Sequence, residues 1–256
     1  QRGRAVGVYG LAIASTQVGL LPAAPWLAEN VGFGLVFALG ALPILGAPAA
    51  LALARVLHSL PEHEEAGERT PYGRMIRPML LLLAVTLAGG ALITFTAQMS
   101  SSSGLTVVAL LLFSVAAALS RWRMGALADR AGPDRFIWPL VVLSAAGMLV
   151  IAWSVRDPLA TAGAALLLGM AVVGVCYGGL QNLTMLVTFA AVRRQHYSQA
   201  SAVWNIGFDA GTGAGSVLVG LVAAGTSFST ALVVVAGCCL ATLPLALARP
   251  GRAPVG

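Results

Sequence analysis

Long apolar runs broken by short polar turns make up almost the whole chain. They fall at about 5–27, 31–54, 78–98, 105–120, 136–154, 160–190, 198–224 and 228–248. Each is close to or above the roughly 17–20 residues that a helix needs to cross a hydrocarbon core. The pattern therefore predicts eight membrane-spanning helices, an all-α membrane protein. Glu29-Asn30, Ser100 to Gly104, Arg156-Asp157-Pro158 and Gly225-Thr-Ser mark turns on one side. On the other side lie a long polar loop over 55–77, a charged turn over 121–135, and the Arg193-Arg194 turn.

Polar positions inside the runs are few and regularly spaced. Thr86, Gly90, Thr94 and Gln98 stand four apart. Gly174, Tyr177, Gln181, Thr184 and Thr188 make a second stripe, and Ser201, Asn205, Asp209, Thr212 and Ser216 a third. Spacings of three and four place each set on one helical face. A polar face in a bilayer is costly unless it meets water or protein, so these faces either line a pathway or hydrogen-bond between helices. The pathway reading selects Asp209, Asn205, Gln181, Tyr177, Thr184, Thr94 and Gln98. Asp209 is the only acid well inside a run; an aspartate at a helix centre costs about 2.5–3.5 kcal/mol on insertion scales. A carboxylate that takes up and releases a proton there couples proton flow to solute movement, or it binds a cationic solute directly. A bond to Asn205 or to a backbone carbonyl is the plainer alternative. Gly207, Gly211 and Gly215 lie four apart in the same run. No strand precedes them, so they are not a nucleotide loop; they offer a smooth face for close helix packing, turned away from Asn205 and Asp209.

Composition agrees. The chain is 58% hydrophobic and 9% charged, with a mean hydropathy of +0.88, far from a soluble domain. All 15 basic residues are arginine. A net charge of +6 would suggest nucleic acid in a soluble protein, but these arginines sit between spans and report topology instead. On the predicted layout only Arg156 falls on one side, and the others make the opposite side cytoplasmic, with both chain ends inside. Cys176, Cys238 and Cys239 lie in apolar runs, so no disulfide framework or zinc site is implied. His58, His63 and His196 lie between runs and are expected to be solvated. Paired carboxylates, metal-spaced histidines and a Gly-x-Ser-x-Gly elbow are absent, so no enzyme, metal site or cofactor is expected.

The turn that carries chemistry is Arg121-Trp-Arg-Met-Gly125-Ala-Leu-Ala-Asp129-Arg130-Ala-Gly132-Pro-Asp-Arg135. Its string Gly-x-x-x-Asp-Arg-x-Gly, from Gly125 to Gly132, resembles the loop signature of the major facilitator superfamily. That signature recurs between the second and third helices and between the eighth and ninth. An internal repeat is consistent with two homologous halves: Leu51-Ala-Leu-Ala-Arg55 returns as Leu245-Ala-Leu-Ala-Arg249, six spans later.

The resemblance implies a helix bundle of twelve spans, of which eight are present. Residues 1–57 would be the last two helices of an N-terminal half and 58–75 a cytoplasmic central loop. Residues 76–249 would be the six-helix C-terminal half and 250–256 a cytoplasmic tail. Four earlier helices would be missing partners in the same transporter. The loop over 58–73 is expected to be open to protease. Asp129 is expected near Ala5 to Gly7, closing the cytoplasmic side in one state. The implied function is secondary active transport of a small organic solute by alternating access in a cell membrane, a bacterial inner membrane being expected. Gly10 and Gly19 with Pro22 and Pro25 resemble part of the fifth-helix motif of drug:proton antiporters, which favours proton-coupled efflux. Ala23, Ala24, Leu27 and Ala28 depart from that motif, so an uptake permease stays open, as does a non-transporting receptor.

Overall fold

The computed structural model describes residues 18–58, 70–157 and 160–248. Among them there is no strand. Residues 18–30 are helical (α1), followed by α2 (Phe33–Ala41), a 3-10 segment over Leu42–Gly46, and α3 (Ala47–His58). The long helices are α4 (Tyr72–Met99), α5 (Ser103–Ala131), α6 (Asp134–Ser154), α7 (Gly163–Ala190) and α8 (Tyr197–Gly225). Two further helices, α9 (Phe228–Ala241) and α10 (Leu243–Leu247), break at Thr242 just before Pro244. Seven stretches among the described residues are long and apolar enough to cross a membrane. The expected first span is described only from residue 18.

Local chemistry explains most of the boundaries. Ser102 starts α5 by accepting the Leu105 amide at 3.2 Å, and Ser227 starts α9 by accepting the Thr230 amide at 3.1 Å. The α1–α2 turn comes later than Glu29-Asn30. Asn30 stays helical, its Nδ2 donating to the Trp26 carbonyl at 2.9 Å, and the reversal falls at Gly32, φ +105°. The polar loop over 55–77 is also shorter than expected, since α3 runs to His58 and α4 starts at Tyr72. Residues 59–69, most of the stretch expected to be open to protease, lie outside the described residues.

The largest correction concerns the turn over 121–135. It is helix up to Ala131, because the stretch from Arg121 to Ala131 holds no proline and Gly125 is tolerated within a long helix. Gly132 ends it, at φ +80°, with its amide on the Ala128 carbonyl at 2.9 Å.

The core lies among α4 to α9, with Leu82, Leu92, Met148, Ile151, Leu166 and Leu183 buried. Two helix pairs, α4–α8 and α5–α7, share the most extensive contacts, and small residues allow both. Gly207, Gly211 and Gly215 of α8 lie against Met79, Leu83 and Leu87 of α4, while Gly90 of α4 faces the Thr212 backbone. Gly174 and Gly178 of α7 lie against the Phe113 and Ala117 carbonyls of α5. A methyl group at any of these would overlap backbone or a packed side chain. On the outer surface Trp122, Trp138 and Trp153 are exposed; Arg123 lies 5.5 Å from the Trp122 ring and Arg156 5.2 Å from that of Trp153. The two ring–cation pairs have the composition of interfacial anchors in membrane proteins, an apolar ring beside a cation.

Candidate functional site

The three polar stripes sit on α4, α7 and α8, and the structure divides them. On α4, Thr86 is buried and turned to its own helix, donating to the Leu82 carbonyl at 3.0 Å. One face further out, Thr94 Oγ1 and Ser216 Oγ of α8 are 2.7 Å apart, and Ser216 also reaches the Gly90 carbonyl at 3.4 Å. Thr94 and Gln98 remain exposed. The α4 and α8 stripes thus meet at one end through hydroxyl groups and close glycine packing.

The α7 stripe is buried. Tyr177 packs on Gly89, with ring centroids 5.2 Å from Phe113 and 6.5 Å from Phe208. Gln181 Nε2 is buried without a hydrogen-bond partner among the described residues. Thr184 donates to the Leu180 carbonyl at 2.7 Å and accepts from Trp204 Nε1 at 3.2 Å. Trp204 in turn stacks on Phe208, 5.6 Å between centroids. One aromatic tier, Phe113, Tyr177, Phe208 and Trp204, therefore joins α5, α7 and α8.

On α8 the face opposite the glycines is open. Asn205 and Asp209 are exposed while Gly207, Gly211 and Gly215 are buried. Asn205 Nδ2 donates to the Ser201 carbonyl at 2.9 Å, so it is turned towards Ser201 and not Asp209. Asp209 has no hydrogen-bond or ion-pair partner among the described residues. Of the seven residues selected from sequence, Thr94, Gln98, Asn205 and Asp209 are exposed, and Tyr177, Gln181 and Thr184 are buried.

Three polar features escape the sequence pattern. Arg121, read there as part of a turn between arginine-free spans, is buried in α5. Its carbonyl accepts from Asn182 Nδ2 at 2.9 Å, next to Ser120 Oγ donating to the Val175 carbonyl at 2.7 Å. His196, expected to be solvated, is buried, with Nδ1 3.3 Å from Thr70 Oγ1; a short 3-10 turn folds it inward. Arg77 joins three elements: Nη2 donates to Asp134 Oδ1 of α6 at 3.0 Å, and Nε to the Leu245 carbonyl of α10 at 2.9 Å.

At the same end of the bundle, Gly125 is buried in α5, Asp129 and Arg130 are exposed on its last turns, and Gly132 caps it. Asp129 is engaged in an interaction. Its expected neighbours, Ala5 to Gly7, lie outside the described residues. No group of three or more His, Cys, Asp or Glu placed to hold a metal occurs among the described residues. A cavity of about 350 Å³ between α1 and α2 is lined by Leu20, Leu27, Val36 and other apolar residues, away from these polar faces.

The family model described as Major Facilitator Superfamily matches residues 1–188. The chain belongs to the major facilitator superfamily. No curated protein matches it. As a member, the chain is a multi-pass membrane protein of transporter type, and its all-helical architecture is that of the superfamily bundle. The match takes in Gly125 to Gly132, so the signature string stands inside a demonstrated superfamily sequence. Here the superfamily motif is built on the emerging end of a helix, with only its last glycine in a turn.

Proposed function

We propose that the chain is part of a secondary active transporter that exports a small organic solute in exchange for protons by alternating access. The observation that carries this reading is Asp209, midway along α8, exposed on the face opposite the glycine seam and without a partner among the described residues. Asn205 stands one turn before it; Thr94 and Gln98 continue the polar face on α4. The pathway runs along these exposed side chains. Tyr177, Gln181 and Thr184 form the buried layer that holds the α7 and α8 walls together, through Thr184 and Trp204. Charge change at Asp209 alters the cost of keeping that face dry or wet, and this links protonation to the exchange between states.

The remaining assignments belong to the same reading. Residues 1–57 end an N-terminal half, 58–75 link the halves, 76–249 form the C-terminal half, and 250–256 are a tail. Four preceding helices complete the cavity. The arginine-rich end faces the cytoplasm of a bacterial inner membrane, and Asp129 fastens that end when the outside is open. Efflux is supported by Gly10, Gly19, Pro22 and Pro25; uptake is the second reading, favoured by Ala23 and Ala24 in place of the motif residues. Asp209→Asn in the full-length protein, reconstituted in proteoliposomes, should abolish pH-gradient-driven movement of a lipophilic fluorescent dye while leaving the protein folded. Transport with the parent's pH dependence would remove Asp209 from coupling. Saturable dye binding without any movement, in the parent itself, would favour a receptor.

A further inference from the structure

At the arginine-rich end, α6 and α10 leave a cavity of about 300 Å³, lined by Asp134, Arg135, Trp138, Ala246, Leu247 and Ala248. Apart from the two charges that open α6, the walls are apolar. Asp134 is already neutralised, since its Oδ1 accepts from Arg77 Nη2 at 3.0 Å. Arg135 is exposed and has no hydrogen-bond or ion-pair partner among the described residues. Arg77 Nε donates to the Leu245 carbonyl at 2.9 Å, so its guanidinium sits between the two elements that form the walls. The third nitrogen of that group, Nη1, is buried with no hydrogen-bond partner among the described residues. The cavity thus carries one free cation and lies beside one unused buried donor, with its single acid spent. An anionic group with several acceptor oxygens pairs with Arg135 and is favoured by the Arg77 charge close by.

The walls decide where that anion comes from. Trp138 is 46% and Leu247 58% exposed on the outer surface of apolar helices. A tryptophan beside an arginine at the end of a span is the arrangement of the membrane–water boundary, where basic sites between helices take lipid headgroups. A free phosphate would leave these apolar walls bare, whereas a phospholipid covers them with its own chains. We propose that this cavity binds the headgroup of an anionic phospholipid, its phosphate on Arg135 with the Arg77 charge behind the wall, and its acyl chains along Trp138 and Leu247. The site is independent of the pathway on α4 and α8, so it stands or falls apart from the transport reading.

The full-length protein, purified in a neutral detergent, is titrated with phosphatidylglycerol, phosphatidylcholine or inorganic phosphate. Thermal unfolding is followed by tryptophan fluorescence and retained lipid by native mass spectrometry. Phosphatidylglycerol should raise Tm and leave a bound lipid in the parent and in Arg123→Gln, an exposed arginine of the same end outside the cavity. Arg135→Gln should lose most of that rise and the bound lipid, and Arg135→Lys should recover part of both. An unchanged response of Arg135→Gln overturns the site, as does phosphatidylcholine acting as strongly as phosphatidylglycerol. Inorganic phosphate alone reproducing the rise would make it a phosphate site and overturn the lipid assignment.

Discussion

Arg77 shows how much one side chain at the edge of a bundle can hold. It ties the first turns of α4 to the first residue of α6 and to α10, with one guanidinium serving a carboxylate and a carbonyl. Its side chain is 16% exposed and that of Asp134 is 41% exposed. Removing Asp134 as Asn leaves the carbonyl bond intact and should cost less than about 1 kcal/mol, the range of a partly solvated pair. Arg77→Gln loses both contacts and should cost about 1–2 kcal/mol, read as a larger fall in the Tm of the detergent-solubilised protein. Equal losses in the two variants would mean that the α10 contact contributes nothing. Sequence could not find this pair. Arg77 and Asp134 are 57 positions apart, and each alone looks like a charge that marks a span end. Asp209 was legible for the opposite reason: an acid midway along an apolar run is conspicuous with no partner known. Arg121 was misplaced because an arginine after an apolar run reads as the end of a span, and only packing shows it buried.

Helix contacts were legible where spacing alone determines them. Gly207, Gly211 and Gly215 recur every four residues, and they form the α4 seam because a helix face without side chains permits backbone contact. The matching α5–α7 seam was not read, since Gly174 counted as a member of a polar stripe and Gly178 lay outside it. The seam makes a paired prediction. Gly215→Ala would drive a methyl group into the Leu87 carbonyl, and Gly211→Ala into Leu83 and Thr86. Neither collision is with the free end of a flexible side chain alone, so each should cost about 1–3 kcal/mol and loosen α8 from α4. Gly213→Ala meets nothing within 4 Å and should be neutral or slightly stabilising, because alanine favours helix over glycine by about 1 kcal/mol. Thermal unfolding of the three single variants checks this; a Gly213→Ala protein as unstable as Gly215→Ala would show that contact across the seam does not set the loss.

At the scale of the molecule, the number and type of elements follow from run lengths, because in a bilayer an apolar run has few alternatives to a helix. How the runs pack, and on which side the ends lie, needs more than length. Residues 33–53 show the difference: they are apolar and helical for most of their length, yet none of the residues whose burial is described there is buried. In the proposed assignment that face belongs against helices of an N-terminal half. Sidedness rests on the arginines, and α5 provides a ruler for it. From Ser103 to Ala131 it has 29 residues, about 43 Å of helix and more than a hydrocarbon core, so its two ends emerge on opposite sides. Ser101, just before it, and Ala131, at its last turn, are both exposed. Cys176 and Cys239 are buried, so replacing Cys238 with Ala leaves a quiet background. In intact cells a membrane-impermeant maleimide should label Ser101→Cys at once, and Ala131→Cys only after permeabilisation. Labelling of Ala131→Cys alone in intact cells would put the arginine-rich end outside. It would then also move the Asp129 contact and the site at Arg135 to the outer leaflet, where the positive-inside bias gives no reason for them to be.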